Sequence, residues 1–202
     1  MTRAGRVSPH ARVPSSQEQA TLVSVTEPPA APVIPTRRLV LRPWRADEAA
    51  VMRQLWSERD PRVPEHRRID AAGEPSVETI RAQILRPRAP LGLLAAQERQ
   101  TGRVVGCCGL VEADGGCPGE AEIAFELLQS AWGQGLATEA GAAIVEWARQ
   151  HDLFHLRATV WDWNLASQRV LTKLGFSPAG VASVDPARGT TLLYAMELRP
   201  GR

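Results

Sequence analysis

The stretch of the sequence with the clearest chemical meaning is a short glycine-containing loop between a strand pattern and a helix pattern. It lies within residues 125–139 and contains Gly133 and Gly135. Glycine adopts positive φ angles and keeps side chains away from a bound ligand. The N–H groups at a helix start converge on anionic oxygens, helped by about half a unit of positive charge. With the hydroxyl of Thr138 as a further donor, the loop is predicted to bind a diphosphate.

The form of the loop narrows the choice of diphosphate. It lacks the Lys-Ser/Thr ending of a P-loop, and it is not a Gly-x-Gly-x-x-Gly turn after a first strand. The missing P-loop ending disfavours ATP as the ligand, and the missing Gly-x-Gly-x-x-Gly turn disfavours NAD. A Gly-x-Gly turn at a helix start can also be purely structural, and that alternative stays open on the loop alone.

Two carboxylates stand in the strand that leads into this loop. Glu122, Ala124, Glu126 and Leu128 alternate, which places them on one face of a strand. A carboxylate in such a place can take a proton from an ammonium group, directly or through water. Glu122 and Glu126 are therefore candidate general bases, and the alternative for both is solvent exposure on an amphipathic strand.

The elements that must position these residues follow from periodicity and turn residues. Asp47 is predicted as an N-cap and Gly175 as the residue that ends a helix. The predicted ranges, in chain order, are strand 36–44, helices 49–56 and 76–85, strands 91–97, 104–111 and 121–128, helix 138–150, strand 156–161, helix 165–174, and strands 178–184 and 190–198. This order indicates an α/β protein with a mixed sheet.

Composition and length limit the classes of protein. The 202 residues, 44% of them hydrophobic, suit one folded domain. Residues 1–35 are rich in Pro, Ser and Ala and are predicted to form a disordered tail; the alternative is an extended segment that docks on the domain or on a partner. The domain then covers residues 36–202. A net charge of +2 argues against nucleic acid as the main partner.

The remaining sequence features argue against several other settings. No run of about 18 apolar residues is present, so no membrane span is expected, and no signal peptide is recognised. Three cysteines, with Cys107 and Cys108 adjacent, do not form a disulfide framework, and a reduced cytoplasmic setting fits better. His151 and His155 are four apart, but they flank a helix-to-strand connection without an acidic or Cys partner, so no metal site is predicted.

Two segments resemble the GNAT superfamily of acetyltransferases. Residues 132–140 are similar to its pyrophosphate-binding segment, whose usual form is Gln/Arg-x-x-Gly-x-Gly/Ala. Gly135 and Ala137 match that form, while Trp132 occupies the Gln/Arg position, as is common in the branch that includes RimJ and RimL. Residues 164–176 resemble the Asn-x-x-Ser/Ala…Gly-Phe segment of the same superfamily. The two motifs stand in the expected order, and the resemblance covers residues 36–199.

The resemblance implies the GNAT fold, a mixed central β-sheet flanked by helices, with acetyl-CoA held between two splayed strands. These strands end near Leu128 and near Trp161, and a bulge in the first helps to separate them. The pantetheine arm would bond to strand backbone, and a backbone N–H would polarise the thioester carbonyl. The residues expected to bind the cofactor are Leu127, Leu128, Trp132, Gly133, Gln134, Gly135, Leu136, Ala137, Thr138 and Asn164.

The implied reaction is direct transfer of an acetyl group to a primary amine, either a protein N-terminal α-amine or a small-molecule amine. Glu122 or Glu126 would act as the base. Many relatives carry a tyrosine acid where this chain has Leu171, so Ser167 is the candidate proton donor, as proposed for some RimL-like enzymes. The alternative is a non-catalytic acyl-CoA-binding or regulatory module. A monomer or homodimer is expected.

A cluster of arginines stands apart from both motifs. Its members are Arg59, Arg62, Arg67 and Arg68. The simplest interpretation is a solvated loop. The alternatives are attraction of an acidic acceptor or of the ribose 3′-phosphate of the cofactor.

Overall fold

The computed structural model describes residues 32–86, 91–113, 119–151 and 153–198. Its strands are β1 (Ile34–Pro35), β2 (Leu39–Arg42), β3 (Leu93–Glu98), β4 (Val104–Glu112), β5 (Glu120–Leu127), β6 (His155–Trp161), β7 (Ser177–Asp185) and β8 (Gly189–Glu197). Its helices are α1 (Ala49–Ser57), α2 (Val77–Ile84), α3 (Leu136–Arg149) and α4 (Leu165–Leu174). The predicted order of strands and helices is confirmed, except that β1 was not predicted and lies at the end of the predicted tail. The predicted tail falls on residues that lie largely outside the described ranges.

The strands form one eight-stranded sheet in the order β1-β2-β3-β4-β5-β6-β8-β7. All neighbours are antiparallel except β5 and β6, which are parallel. The parallel pair lies in the middle of the sheet, with α3 as the crossover between its two strands. The α/β prediction with a mixed sheet is therefore confirmed.

Each face of the sheet carries its own apolar cluster. On one face α3 packs through Ile144 and Val145 against strand residues that include Ile123 and Leu156. On the other face α1 and α2 pack around Trp44, Leu55 and Ile80, with residues of β3 and β4. We call these the α3 face and the α1–α2 face.

The start of α1 differs from the sequence prediction, and that of α2 matches it. Asp47 is not an N-cap, because residues 46–48 form a 3₁₀ turn before α1 begins. The carboxylate of Glu48 accepts from the N–H of Arg45 at 2.9 Å and pairs with the buried guanidinium of Arg42. A buried cation requires such a partner, and this requirement sets the local geometry. Ser76 caps α2 by accepting from the N–H of Thr79.

The expected bulge lies in a different strand from the predicted one. The register of β4 with β5 is continuous, from Gly106 opposite Leu127 to Glu112 opposite Ala121. The irregularity instead falls between β3 and β4, where Ala96 pairs with Gly106 and Gln97 with Val104. At this bulge β4 and β5 approach closely.

Gly106 is required by that close approach, and its replacement is expected to destabilise the fold. A Cβ on Gly106, whose φ is +157°, would lie 2.2 Å from the carbonyl oxygen of Glu126. Overpacking of this kind costs about 1–3 kcal/mol, so Gly106→Ala should lower the midpoint of urea denaturation. Gly180→Ala is the control, because Gly180 also has a positive φ of +138° but no atom within 4 Å of its Cβ position. Equal denaturation midpoints for the two variants would contradict the prediction that the close approach of β4 and β5 requires a glycine at position 106.

Candidate active site

The two parallel strands separate soon after they meet. β5 and β6 are paired only at Glu120 with His155, Ala121 with Leu156 and Glu122 with Arg157. β5 nevertheless continues to Leu127 and β6 to Trp161, each still paired with its outer neighbour. An opening with free strand edges on both sides therefore leads from Glu122 towards the glycine loop.

The hydrogen-bond pattern shows which backbone groups of β5 face this opening. The N–H of Leu128 donates to the carbonyl of Val105 at 2.9 Å, so its amide is directed at β4. Because the direction alternates along an antiparallel ladder, the backbone groups of Ile123, Phe125 and Leu127 point the other way, into the opening. The N–H of Leu128 is therefore already bonded to β4, whereas Leu127 stays a predicted main-chain contact. Ile123 and Phe125 share the backbone orientation of Leu127, as strand alternation predicts.

Trp132 lies across the end of β5. Its indole Nε1 donates to the carbonyl of Leu127 at 2.7 Å, and 59% of the residue is exposed. The carbonyl of Leu127 is therefore engaged, and its N–H is the group directed into the opening. Trp132 contacts the strand backbone here, in the position where the resemblance expected a Gln or Arg.

The glycine loop has the geometry that its sequence predicts. Gly133 and Gly135 have φ angles of +73° and +75°, and Gly135 is the N-cap of α3. The first helical bond of α3 runs from the N–H of Glu139 to the carbonyl of Gly135. The N–H groups of Leu136, Ala137 and Thr138 precede that bond, so they are free to donate to a ligand at the helix start. Gln134 bonds through its side chain to the carbonyl of Ser130 at 3.1 Å.

Arg38, the residue before β2, supports this loop, a role that the sequence did not reveal. Its Nη1 donates to the carbonyl of Gln134 at 2.9 Å and its Nε to Glu139 at 2.6 Å. Burial alone would raise the pKa of Glu139, but the Thr36 hydroxyl, the Arg38 N–H and the Arg38 guanidinium lower it to about 2. Arg38 thus neutralises an acid in the first turn of α3, which would otherwise repel an anionic ligand.

Glu122 spans the opening where the two strands begin to separate. Its Oε1 accepts from the Thr159 hydroxyl at 2.5 Å and from the Thr159 N–H at 3.2 Å. This N–H would have bonded to β5 if the parallel ladder had continued. The other carboxylate oxygen, Oε2, makes no hydrogen bond with the described residues.

Glu126 lies on the same face as Glu122 but has a different environment. It stands opposite Cys107, which belongs to the cluster of the α1–α2 face. Arg59 donates from Nε and Nη2 to its two carboxylate oxygens, at 2.7 and 2.6 Å. Arg59 also lies over the ring of Trp56, with 4.3 Å from Cζ to the ring centroid. Both oxygens of Glu126 are therefore engaged, which disfavours it as the base.

The start of α4 holds the other predicted residues. Asn164 caps the helix, accepting through Oδ1 from the N–H of Ser167 at 3.1 Å. The hydroxyl of Ser167 has no hydrogen bond among the described residues. Leu171 is 1% exposed in the core, and the Tyr194 hydroxyl lies 3.5 Å from Gln168 on α4. Tyr194 is thus a buried residue that packs against α4.

The histidines and cysteines contribute packing in this part of the chain. His151 stacks on Trp147 at 3.9 Å between ring centroids. Cys107 and Cys108 are buried, and burial raises the pKa of the Cys108 thiol. Across the residues that the structure describes, no group of three or more His, Cys, Asp or Glu is placed to hold a metal ion.

Comparison with known proteins agrees with this geometry. An acetyltransferase (GNAT) domain matches residues 38–177. The Uncharacterized N-acetyltransferase p20 of Bacillus licheniformis is 29% identical over 152 residues, covering 72% of this chain and 83% of that protein. A GNAT acetyltransferase from Bacillus anthracis has a TM-score of 0.68 at 18% identity, covering 82% of this chain and 98% of its own. Mycobacterium smegmatis RimJ, solved with a CoA disulfide, has a TM-score of 0.60 at 23% identity, covering 82% and 87%.

A strand pair that opens towards a glycine-capped helix has a geometry that suits an extended cofactor with a diphosphate. The domain match covers more than half of the 202 residues, so the chain belongs to the GNAT family of acetyltransferases and is an N-acetyltransferase. In the described part of the chain, no helix is both long and apolar enough to cross a membrane.

Proposed function

We propose that this enzyme transfers an acetyl group from acetyl-CoA to a primary amine, with a protein N-terminal α-amine as the first candidate and a small-molecule amine as the second. The observation that carries the proposal is the opening between β5 and β6, which is bounded by free strand edges and leads to the loop at Gly133 and Gly135. One end suits an extended arm and the other a diphosphate.

The cofactor would lie along the edge of β5. The backbone groups of Ile123, Phe125 and Leu127 are oriented to bond with the pantetheine amides, as an added strand would. The pyrophosphate would accept from the N–H groups at the start of α3, with Thr138 as an additional donor. Asn164 would approach the arm from the start of α4 while still capping that helix. Coenzyme A in the RimJ structure supports this choice of ligand.

The acceptor would approach from the α1–α2 face, where Glu122 lies. Its Oε2 would take a proton from the ammonium, and the resulting amine nitrogen would attack the thioester carbonyl. An N–H of β5 that faces the opening nearer to Glu122, as those of Ile123 and Phe125 do, would hold the developing oxyanion. When the C–S bond breaks, the attacking nitrogen would release its second proton to solvent, and the CoA thiolate would take a proton from the hydroxyl of Ser167, which solvent would restore.

The protonation state of the acceptor favours an α-amine. An α-amino group has a reference pKa of about 7.7–8.0, whereas a lysine side chain has about 10.4. An α-amine is therefore substantially neutral near pH 8 and requires less from its base. Among the described residues, Glu122 has a carboxylate oxygen without a hydrogen bond, whereas both oxygens of Glu126 accept from Arg59. One such carboxylate is enough to deprotonate an α-amine.

Ligand-dependent melting followed by thiol release tests the proposal. A ligand present at 100 times its dissociation constant stabilises a protein by about 2.7 kcal/mol. We expect the melting temperature to rise with acetyl-CoA and with CoA, and to be unchanged with ATP and NAD. Addition of peptides with a free N-terminus should then release CoA thiol, which a chromogenic disulfide detects.

Each part of this experiment can contradict the proposal. An unchanged melting temperature with acetyl-CoA would remove the cofactor assignment. A clear shift without thiol release, over peptides, polyamines and aminoglycosides, would instead support the non-catalytic alternative. Thiol release with small amines but with no peptide would make the second candidate acceptor the right one.

A further inference from the structure

The loop after α1 covers the opening on the side where the acceptor would arrive. We call residues 58–68 the arginine loop. It is fixed to the end of β5 by Arg59 on Glu126 and by Glu58, whose Oε2 accepts from the N–H of Gln129 at 2.7 Å. It also reaches the end of β6, where the guanidinium of Arg62 lies 4.1 Å from the ring centroid of Trp163. The loop therefore bridges the ends of the two separated strands.

Two arginines of this loop already have anionic partners. Arg59 pairs with Glu126, and Arg62 pairs with Asp60 at 2.8 Å. Trp163 in turn stacks on Trp161, with 5.9 Å between ring centroids. Each of these two guanidinium groups is therefore already paired with a carboxylate.

Arg67 differs from both, because its guanidinium forms no ion pair or hydrogen bond within the described part of the chain. Its backbone N–H donates to the carbonyl of Pro64 at 2.9 Å, and its own carbonyl accepts from Nη1 of Arg59 at 2.7 Å. Burial, followed by the positive charge of Arg59, lowers the pKa of Arg67, while Glu126 and Glu122 act in the opposite sense. The side chain is nevertheless exposed.

The position of Arg67 distinguishes between an anion of the cofactor and an anion of the acceptor. The glycine loop opens into α3, whose residues pack on the α3 face. Arg67 is bonded through its carbonyl to Arg59, the partner of Glu126, and both Glu126 and Glu122 project on the α1–α2 face. The sheet separates these two faces, so the phosphates at the helix start are not the partner of this arginine.

We infer that the acceptor is a primary amine that carries a carboxylate close to the amine, with Arg67 binding the carboxylate and Glu122 receiving the ammonium. The inference rests on the proposed function and specifies its acceptor. An unpaired guanidinium next to a second cation favours an anionic ligand, and the neighbouring carboxylate favours a cationic group. The ligand chemistry can come from an acidic protein N-terminus or from a free amino acid with an acidic side chain.

Matched acceptors test the inference through thiol release. We expect a peptide beginning Ser-Asp-Asp to have a kcat/KM at least about tenfold above that of the same peptide beginning Ser-Asn-Asn, since hydrogen bonds between charged groups are among the stronger ones. The difference should lie mainly in KM and should shrink when salt is raised from 0.05 to 0.5 M, as screening increases. Free glutamate and glutaminamide, which carries no carboxylate, form the second pair of acceptors.

Variants show whether Arg67 is responsible. In Arg67→Gln the ratio of kcat/KM for acidic over neutral acceptors should fall towards one. In Arg67→Glu this ratio should fall below one. Arg149→Gln is the control, because Arg149 pairs only with Glu146 at the far end of α3. A ratio near one in the wild-type enzyme would overturn the inference without requiring any variant. A wild-type ratio that persists in Arg67→Gln would overturn it as well.

The outcomes distinguish a failure of the proposed function from a failure of the inferred acceptor. Thiol release without preference for acidic acceptors leaves the proposed function standing and removes the inference. The absence of both a melting shift and thiol release removes the proposed function, and the inference with it. If the glutamate pair shows the preference, a free amino acid is a sufficient source; if only the peptides show it, the source is a protein N-terminus.

Discussion

Replacing Gly135 with glutamate is expected to lower the affinity for acetyl-CoA by about 1000-fold. Gly135 is the N-cap of α3 at a φ of +75°, so a side chain there would be strained. A glutamate would also place a negative charge beside the N–H groups proposed to hold the pyrophosphate. Like-charge contacts cost several kcal/mol, of which about 4 corresponds to this factor. Isothermal titration calorimetry with acetyl-CoA measures the loss directly.

Two further variants separate charge from strain at this position. Gly135→Ala introduces the backbone strain without the charge, and its Cβ would meet nothing nearer than Arg38 at 3.7 Å; we expect a much smaller loss of affinity. Gly180→Glu adds the same charge at another glycine of positive φ, where the Cβ position is open. Unchanged affinity in Gly135→Glu would show that the cofactor does not use this loop.

Replacing Glu122 with glutamine is expected to lower kcat by about 100- to 1000-fold. General-base catalysis contributes about 10²–10⁴ in rate, and glutamine cannot accept the proton. Its amide oxygen can still accept from the N–H and hydroxyl of Thr159, as Glu122 does. The substitution therefore removes the base and keeps the link across the opening. Steady-state thiol release with an N-terminal peptide gives kcat and KM separately.

The pH dependence of the residual activity and a control substitution at Glu120 show whether the lower kcat of Glu122→Gln reflects loss of the base. Loss of the base should leave residual activity that rises with pH, because more of the acceptor amine is then neutral. Glu120→Gln serves as the control, since Glu120 lies one pleat away on the same face and pairs with Arg157. A kcat within about twofold of wild type in Glu122→Gln would show that this residue only joins the strands, and that solvent or another group accepts the proton.

Much of the protein could be predicted from patterns that depend on near neighbours in the chain. The alternation of β5, the apolar period of α3 and the glycines between them are local signals, so the element order and the loop at Gly135 were predicted correctly. The ends of α4 were also predicted, because Asn164 and Gly175 act on their own helix. Asp47 was the local prediction that failed, since Glu48 is held by the buried Arg42.

Only the tertiary structure decided which of the predicted groups are free to act. Glu122 and Glu126 are equivalent in the sequence, but Arg59, which is 67 residues away in the chain, occupies both oxygens of Glu126. The hydrogen bond from Leu128 to Val105 turns the amide of Leu128 away from the opening. Arg38 bonds to the glycine loop although it is 96 residues away in the chain. Hydrogen bonds between distant segments depend on strand register and on how helices pack. The sequence therefore determined the kind of site, and long-range pairing determined which residues in it remain available for chemistry.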